Sequence, residues 1–311
     1  MKIIHLHHPY QKSEIPDGPV VLVLGFFDGL HRGHQKVIDA GRTEAKEKNV
    51  PLALMTFNQH PSIVFQKLNR EITQYLTNLP EKERLLADFG IDILYVVEFT
   101  SAFAALPPQQ FVDDYLVGLH AQSVVTGFDY TYGPKNIADV DHLPDYSQGR
   151  FKMITVPSLD EEGKKVSSTR IRADLAQGAM DEVTELLGRP YQVRGIVVHG
   201  DARGRLLGYP TANLEIEKDV RLPMEGVYVT KIFVNDQWYE AMTSVGHNDT
   251  FGEGRKLTVE ANILNFAGDI YGEQVLLEFY HLIRKQVKFN SADELIEQLA
   301  ADAVVTQKYF G

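Results

Sequence analysis

Residues 19–34 read PVVLVLGFFDGLHRGH, and the fold turns on this stretch. Its first part, 19–27, is an unbroken apolar run, as expected of a strand buried on both faces. From about 34 to 49 apolar residues return at helical spacing, with Val37, Ile38, Gly41 and Ala45 on one face. The turn between them carries Gly25, Gly29 and Gly33, which let a backbone approach a ligand closely. A turn from a buried strand into a helix is where open α/β sheets bind ligands, and free N–H groups at the helix start favour phosphate. His31 and His34 are three apart and share a face of the first helical turn, where imidazoles can donate hydrogen bonds to phosphate oxygens. A Gly-rich turn with two solvated histidines accounts for the same residues. So does part of a zinc site, for which Asp28 is the one further ligand candidate within the motif.

Outward from this stretch, strands are expected at 52–57, 91–99, 123–127 and 151–156, and helices at 80–89, stopped by Gly90, and 108–119. That alternation predicts an α/β domain, a Rossmann-like parallel sheet with helices on both faces. After short helical stretches at 169–177 and 180–187 the pattern changes near Gly188. Strand-like runs then follow at 191–198, 227–234, 237–245, 257–266 and 274–283, with Asn235-Asp236 as a hairpin turn. They predict a small β-barrel or sandwich, and Ser291 to Glu294 opens a closing helix as a capping box. The expected domains are 1–186 and 187–311.

Composition agrees with two domains in 311 residues. Lys plus Arg is 31 against 42 Asp plus Glu, a net charge of −11, which argues against a sequence-independent nucleic-acid binder. A local phosphate site remains compatible with that charge. The absence of cysteine excludes disulfides, thiolate nucleophiles and Cys-ligated metal centres. No apolar run approaches the roughly 20 residues of a membrane span, and MKIIHLHHPY lacks the layout of a signal peptide. The expectation is a cytoplasmic protein with no membrane partner.

Three further segments suit phosphate chemistry. VSSTRIR, residues 166–172, puts three hydroxyls and two guanidinium groups at an expected helix N-terminus, for capping, for phosphate, or for both. Arg170 or Arg172 can grip an anion with two bonds. GDARGRLLGYPTAN, residues 200–213, has glycines at 200, 204 and 208 but not the order of a P-loop. Thr211 and Asn213 offer oxygens to Mg²⁺, with ATP and water supplying the rest; a hairpin connection fits the same composition. Glu260 lies in the apolar run LTVEANILNF, where a carboxylate faces solvent or does chemistry. Alternation puts it on the face of Thr258 and Asn262, a polar face that can rim a site.

Together these motifs resemble those of the prokaryotic bifunctional riboflavin kinase/FMN adenylyltransferase (FAD synthetase) family. GFFDGLHRGH resembles its G-x-F-D-G-x-H-x-G-H motif and SSTRIR its second nucleotide motif. GFDYTYG at 127–133 resembles its G-x-D/N-F-x-F-G loop, and LGRPYQVRGIVVHGDARGRLLGYPTANL the opening of its kinase domain. The likeness is colinear over nearly the whole chain.

The resemblance implies that 1–186 is a nucleotidylyltransferase domain moving AMP from ATP to FMN, giving FAD and pyrophosphate. Gly25, Phe26, Phe27, Asp28 and Gly29 would then line the nucleotide, His31 and His34 would act on its phosphates, and Asp129 would lie beside it. Ser167, Ser168, Thr169 and Arg172 would hold the triphosphate. Phe57, His60, Pro61 and Phe128 would meet the flavin, although core packing accounts equally for Phe57 and Phe128. Residues 187–311 would phosphorylate riboflavin with ATP, leaving FMN and ADP. Glu260 would be the general base on the ribityl 5′-hydroxyl. Gly200, Arg205, Gly208, Tyr209, Pro210, Thr211 and Asn213 would bind the nucleotide, Thr211 and Asn213 its Mg²⁺, and Arg284 the flavin side. The implied partners are these small molecules; oligomeric state is not legible. Three departures stand out: Gln59 before His60-Pro61 where the family has P-x-P or P-H-P, Asn248-Asp249-Thr250 for N-P-T, and Arg284-Lys285-Gln286 for R-x-E. A chain in which only adenylyl transfer is live, or a flavin-binding sensor without chemistry, are the alternative readings.

Overall fold

The computed structural model describes residues 1–69, 73–161, 163–200, 208–247 and 257–311. The chain forms two compact units, Met1–Ser167 and Ser168–Gly311.

In the first unit the order is β1 (Lys2–Leu6), β2 (Val20–Leu24), α1 (Arg32–Lys48), β3 (Leu52–Phe57), α2 (Ser62–Phe65), α3 (Leu79–Asp88), β4 (Ile93–Val97), β5 (Ala121–Gly127) and β6 (Lys152–Val156). The six strands form one sheet in the order β1-β4-β3-β2-β5-β6, every pair parallel. All five residues of β2 are buried, which explains its unbroken apolar run. Val20, Leu22 and Leu24 enter the core on one face, Val21 and Val23 the core on the other. Strand order reverses between β2 and β5, so the turn after β2 opens at the topological switch point. A Cβ at Gly41 would lie 2.5 Å from Val23 Cγ2, so glycine lets α1 close onto the sheet above β2. A two-strand hairpin, β7 (Asp160–Glu161) with β8 (Lys164–Lys165), ends the unit. The helix expected at 108–119 divides into an α-turn, Pro108–Phe111, and a π-helical stretch, Val112–Val117.

The second unit runs α4 (Ser168–Leu175), α5 (Met180–Leu187), β9 (Tyr191–Val198), β10 (Ala212–Ile216), β11 (Gly226–Val234), β12 (Gln237–His247), β13 (Leu257–Ile263), β14 (Gln274–Arg284) and α6 (Ala292–Phe310). Its strands close an antiparallel barrel in the order β10-β13-β12-β11-β14-β9, which leaves no open sheet edge. β10 begins at the end of the segment read from sequence as a glycine-rich loop, at Ala212. Asn235 and Asp236 take φ of 51° and 59°, as a two-residue hairpin turn requires. Ser291 Oγ accepts the Glu294 N–H at 3.2 Å, while the Glu294 carboxylate takes the N–H of Asn290 at 2.9 Å.

Candidate active sites

The chain leaves β2 through a strained turn. Phe27, Gly29 and Leu30 have φ of 57°, 86° and 45°, a region that non-glycine residues occupy only when neighbours hold them there. Those neighbours are visible. The Asp28 carboxylate, buried, accepts the N–H groups of Leu76 (2.9 Å) and Thr77 (3.1 Å), and Thr77 Oγ1 accepts that of Gly29 (2.9 Å). The Phe26 carbonyl accepts from Thr56 Oγ1 at 2.9 Å and from Lys82 Nζ at 2.7 Å.

His31 is the N-cap of α1, its Nδ1 accepting the backbone N–H of His34 at 3.2 Å. A backbone N–H only donates, so Nδ1 is unprotonated and the neutral ring carries its proton on Nε2. The two imidazoles stack, centroids 3.6 Å apart and planes 14° from parallel. Burial, then the neighbouring His31, Lys82 and Lys165, hold the His34 pKa well below the ordinary histidine range. Its buried Nδ1 has no hydrogen-bond partner. The result is a pair of neutral imidazoles at a helix N-terminus, a donor set for phosphate. Parallel rings at this spacing do not converge their nitrogens on one ion, which disfavours the zinc reading. A Cβ at Gly33 would come 3.1 Å from His31 Cε1 and Nδ1, so glycine makes room for the capping ring.

Around this turn, His60 meets the Phe26 ring edge-on at 5.1 Å, and its Nδ1 accepts the N–H of Ser62 at 3.1 Å. Pro61 sits at the start of α2. Phe57 is held edge-on by Phe99 and Phe103, at 4.9 and 5.7 Å, as part of the core. Gln59 Nε2 donates to the Phe99 carbonyl at 2.9 Å, so the departing residue ties its loop to the end of β4. Phe128 is exposed, with Lys165 over its ring at 4.7 Å, and Lys165 also pairs with Asp129. Arg32, inside the motif, pairs with Glu161. The β7–β8 hairpin is thus pinned to both α1 and the loop after β5. Ser167 closes the first unit; Ser168, Thr169 and a buried Arg172 stand on α4 in the second.

The barrel assembles the other group. β10 pairs with β13 so that Asn213 lies opposite Glu260, and Glu260 lies opposite Ser244 of β12. Thr211 Oγ1 and Glu260 Oε2 are 3.5 Å apart. Asn262 Nδ2 donates to the Pro210 carbonyl at 2.8 Å and pins the Tyr209-Pro210-Thr211 segment to β13. The Asn213 amide fills the space where Gly200 would otherwise carry a side chain. Gly208 takes φ of 80°. Pro210 and Thr211 border a cavity of about 510 Å³, which Phe266 and Tyr271 also line. Sequence reasoning missed this wall; the turn-forming aromatic run NFAGDIYG at 265–272 was its only signal. Arg284 donates twice to the buried Asp302 of α6, from Nε at 3.0 Å and from Nη2 at 2.8 Å. Gln286 Nε2 donates to Ser244 Oγ at 2.8 Å and to the Val245 carbonyl at 3.1 Å. Arg205 and Asn248-Asp249-Thr250 lie outside the described residues. Among the described residues no three His, Asp or Glu gather as a metal cage.

Comparison with known proteins places both halves. Residues 14–170 match the FAD synthetase family and 187–310 the riboflavin kinase family. The chain is 43% identical over 310 residues to the bifunctional riboflavin kinase/FMN adenylyltransferase of Listeria monocytogenes, covering 100% of this chain and 98% of that protein. It is 40% identical over 312 residues to the protein of the same name from Bacillus subtilis, again covering 100% of this chain and 98% of that protein. A crystal structure from Streptococcus pneumoniae, described as a macrolide-efflux protein, superposes with a TM-score of 0.89 at 39% identity, covering 98% of this chain and 99% of that one. Among the described residues of the present chain no helix is long and apolar enough to cross a membrane.

Proposed function

The chain belongs to the bifunctional riboflavin kinase/FMN adenylyltransferase family, and from that premise we propose how its two sites divide the work. The barrel phosphorylates riboflavin with ATP, leaving FMN and ADP; the sheet site transfers AMP from ATP to FMN, leaving FAD and pyrophosphate. We draw the functional boundary at 186/187 and place the enzyme in the cytoplasm.

At the sheet site an FMN phosphate oxygen attacks the α-phosphorus of ATP and pyrophosphate departs, with no covalent enzyme intermediate. Catalysis is then positioning and charge stabilisation. Neutral His31 and His34 donate to the phosphate oxygens as charge moves onto the leaving group, reinforced by the positive end of α1. Gly25 to Gly29 shape the turn, with Asp28 acting through it. Asp129, Ser167, Ser168, Thr169 and Arg172 hold the nucleotide. His60, Pro61 and Phe128 face the flavin, and Phe57 supports them from the core.

At the barrel site Glu260 takes the proton of the ribityl 5′-hydroxyl as that oxygen attacks the γ-phosphorus. Gly200, Arg205, Gly208, Tyr209, Pro210, Thr211 and Asn213 surround the nucleotide, whose base fits the cavity beside Thr211. The hard oxygens of Thr211 and Asn213 suit Mg²⁺ brought in with ATP, which when bound neutralises phosphate charge. Arg284 maintains the flavin-side wall through its grip on Asp302.

The observation that carries this reading is the joint presence of a stacked neutral histidine pair at the switch point and a glutamate in register with Asn213 beside Thr211. The test is incubation with riboflavin, ATP and Mg²⁺, followed by chromatographic separation of the flavins. FMN followed by FAD is expected. FAD from supplied FMN alone would leave only the sheet site live, and no product from either flavin would favour a sensor.

A further inference from the structure

Helix α3 turns Glu81, Lys82, Leu85 and Leu86 to the interior, so Lys82 occupies a position where the pattern calls for leucine. It is 2% exposed. Its ammonium donates to the Phe26 carbonyl at 2.7 Å, lies 3.4 Å from Thr56 Oγ1 and sits over the Phe26 ring at 4.1 Å. Replacing a buried charge with a well-packed apolar side chain is commonly neutral or stabilising, so packing alone does not call for this ammonium. Its place does suggest a use. The Phe26 carbonyl belongs to the strained turn, and Lys82 with Thr56 draws it toward α3 and β3. A planar trans peptide then points the next N–H, that of Phe27, away from them. The same charge is one of those that keep His34 neutral.

We propose that Lys82 is a positioning residue for adenylyl transfer: a buried ammonium that fixes the Phe26–Phe27 peptide of the phosphate-binding turn and supplies positive charge beneath it. This rests on the sheet-site reading above. Lys82 touches no reacting atom; it acts through Phe26.

Burial pushes the Lys82 pKa down to about 8, against the opposing pull of Asp28 and Glu83. Facing it are Asp28 from the turn, Glu83 from its own helix and His34 from α1. His60 and Tyr75 meet the Phe26 ring edge-on. FAD formation should therefore decline as pH rises through about 8. Stability from this group moves the other way. Between about 8 and the ordinary value of 10.5 the unfolded chain holds the proton and the folded chain does not, so the fold gains as pH rises. A falling rate in that range is thus not unfolding.

The test is Lys82→Met in the full chain, with both activities assayed from pH 6.5 to 9.5. Expected are an unchanged or higher melting temperature, unaltered riboflavin phosphorylation, and a fall in kcat for FAD from supplied FMN of about tenfold to a hundredfold, as expected for a lost electrostatic contact. The alkaline decline near 8 should vanish. Wild-type kcat with the decline intact would overturn the proposal. If the variant unfolds, Thr56→Val removes the other donor to the Phe26 carbonyl; it should lower kcat several-fold and keep the decline, and an unchanged kcat would overturn the proposal. Failure of the wild type to make FAD from FMN would instead overturn the sheet-site reading.

Discussion

On the proposed mechanism His31 divides its two nitrogens between fold and reaction: Nδ1 caps α1, which leaves Nε2 to carry the proton donated to phosphate. The two roles separate by substitution. Asparagine is also a good N-cap, so His31→Asn should keep the melting temperature within a few degrees and lose FAD formation by roughly 10²–10³. Riboflavin phosphorylation should survive. Glu260→Gln should give the mirror result, losing phosphorylation by about 10²–10⁴ and keeping FAD synthesis from supplied FMN. Assay of both reactions on each purified variant checks the pair; loss of both activities in one folded variant would break the two-site assignment. His31 and His34 were legible as candidates from their spacing after a buried strand, and Glu260 as one from the family resemblance, since its own strand left solvent exposure and chemistry open. Lys82 was not, because a lysine one turn before Leu85 and Leu86 reads as an apolar stem whose ammonium reaches solvent, and only packing against Phe26 and Thr56 keeps that ammonium inside.

Among the elements, α6 is tied to the barrel by a buried ion pair and by Tyr280 and His281 packing on Tyr309 and Phe310. Asp302 is 1% exposed and takes two hydrogen bonds from Arg284 at the end of β14 and one from Gln298 at 2.9 Å. Removing one partner of such a pair leaves a buried charge uncompensated. Asp302→Ala should therefore cost about 3–5 kcal/mol in chemical denaturation, and flavin affinity at the kinase site should weaken with it. In the sheet domain α1 is tied by Glu44, which accepts from Ser123 Oγ at 2.8 Å and Lys152 Nζ at 2.6 Å. The bond from Lys152, with help from Ser123 and Lys48, holds its pKa below the usual 4.5. Its stabilisation is complete above that unfolded value and is lost as pH falls through the lower folded one. Glu44→Gln should flatten the acid side of the stability profile, read as urea midpoints from pH 6 to pH 3. Periodicity made β2, β3, α1 and most barrel strands legible. It missed β1, a five-residue edge strand, and β10, five residues behind the Gly-Tyr-Pro turn, because both are short and are defined by their pairing partners. Strand pattern alone left barrel and sandwich open; the expected small β-barrel is borne out, its ring completed by pairings such as β9 with β10.

For the whole molecule, the order of the two family matches was legible, but the structural division was not. The compact units part at Ser167/Ser168, whereas the kinase family match begins at 187, because α4 and α5 fold with the barrel while α4 carries the SSTRIR motif. His31 and Glu260 nonetheless stand in different units, and on the proposed mechanism neither reaction leaves an intermediate bonded to the protein. FMN made at the barrel is therefore expected to leave before it is adenylylated. A mixture of Glu260→Gln, impaired in FMN formation, with His31→Asn, impaired in FAD formation, is the reference in which FMN must cross between chains. If FMN is released, the wild type, like the mixture, forms FAD after a lag in which FMN accumulates, and an excess of apoflavodoxin-like FMN trap suppresses the FAD of both. If FMN passes within one chain, wild-type FAD formation ignores the trap, while the mixture, in which FMN must cross between chains, is still suppressed by it.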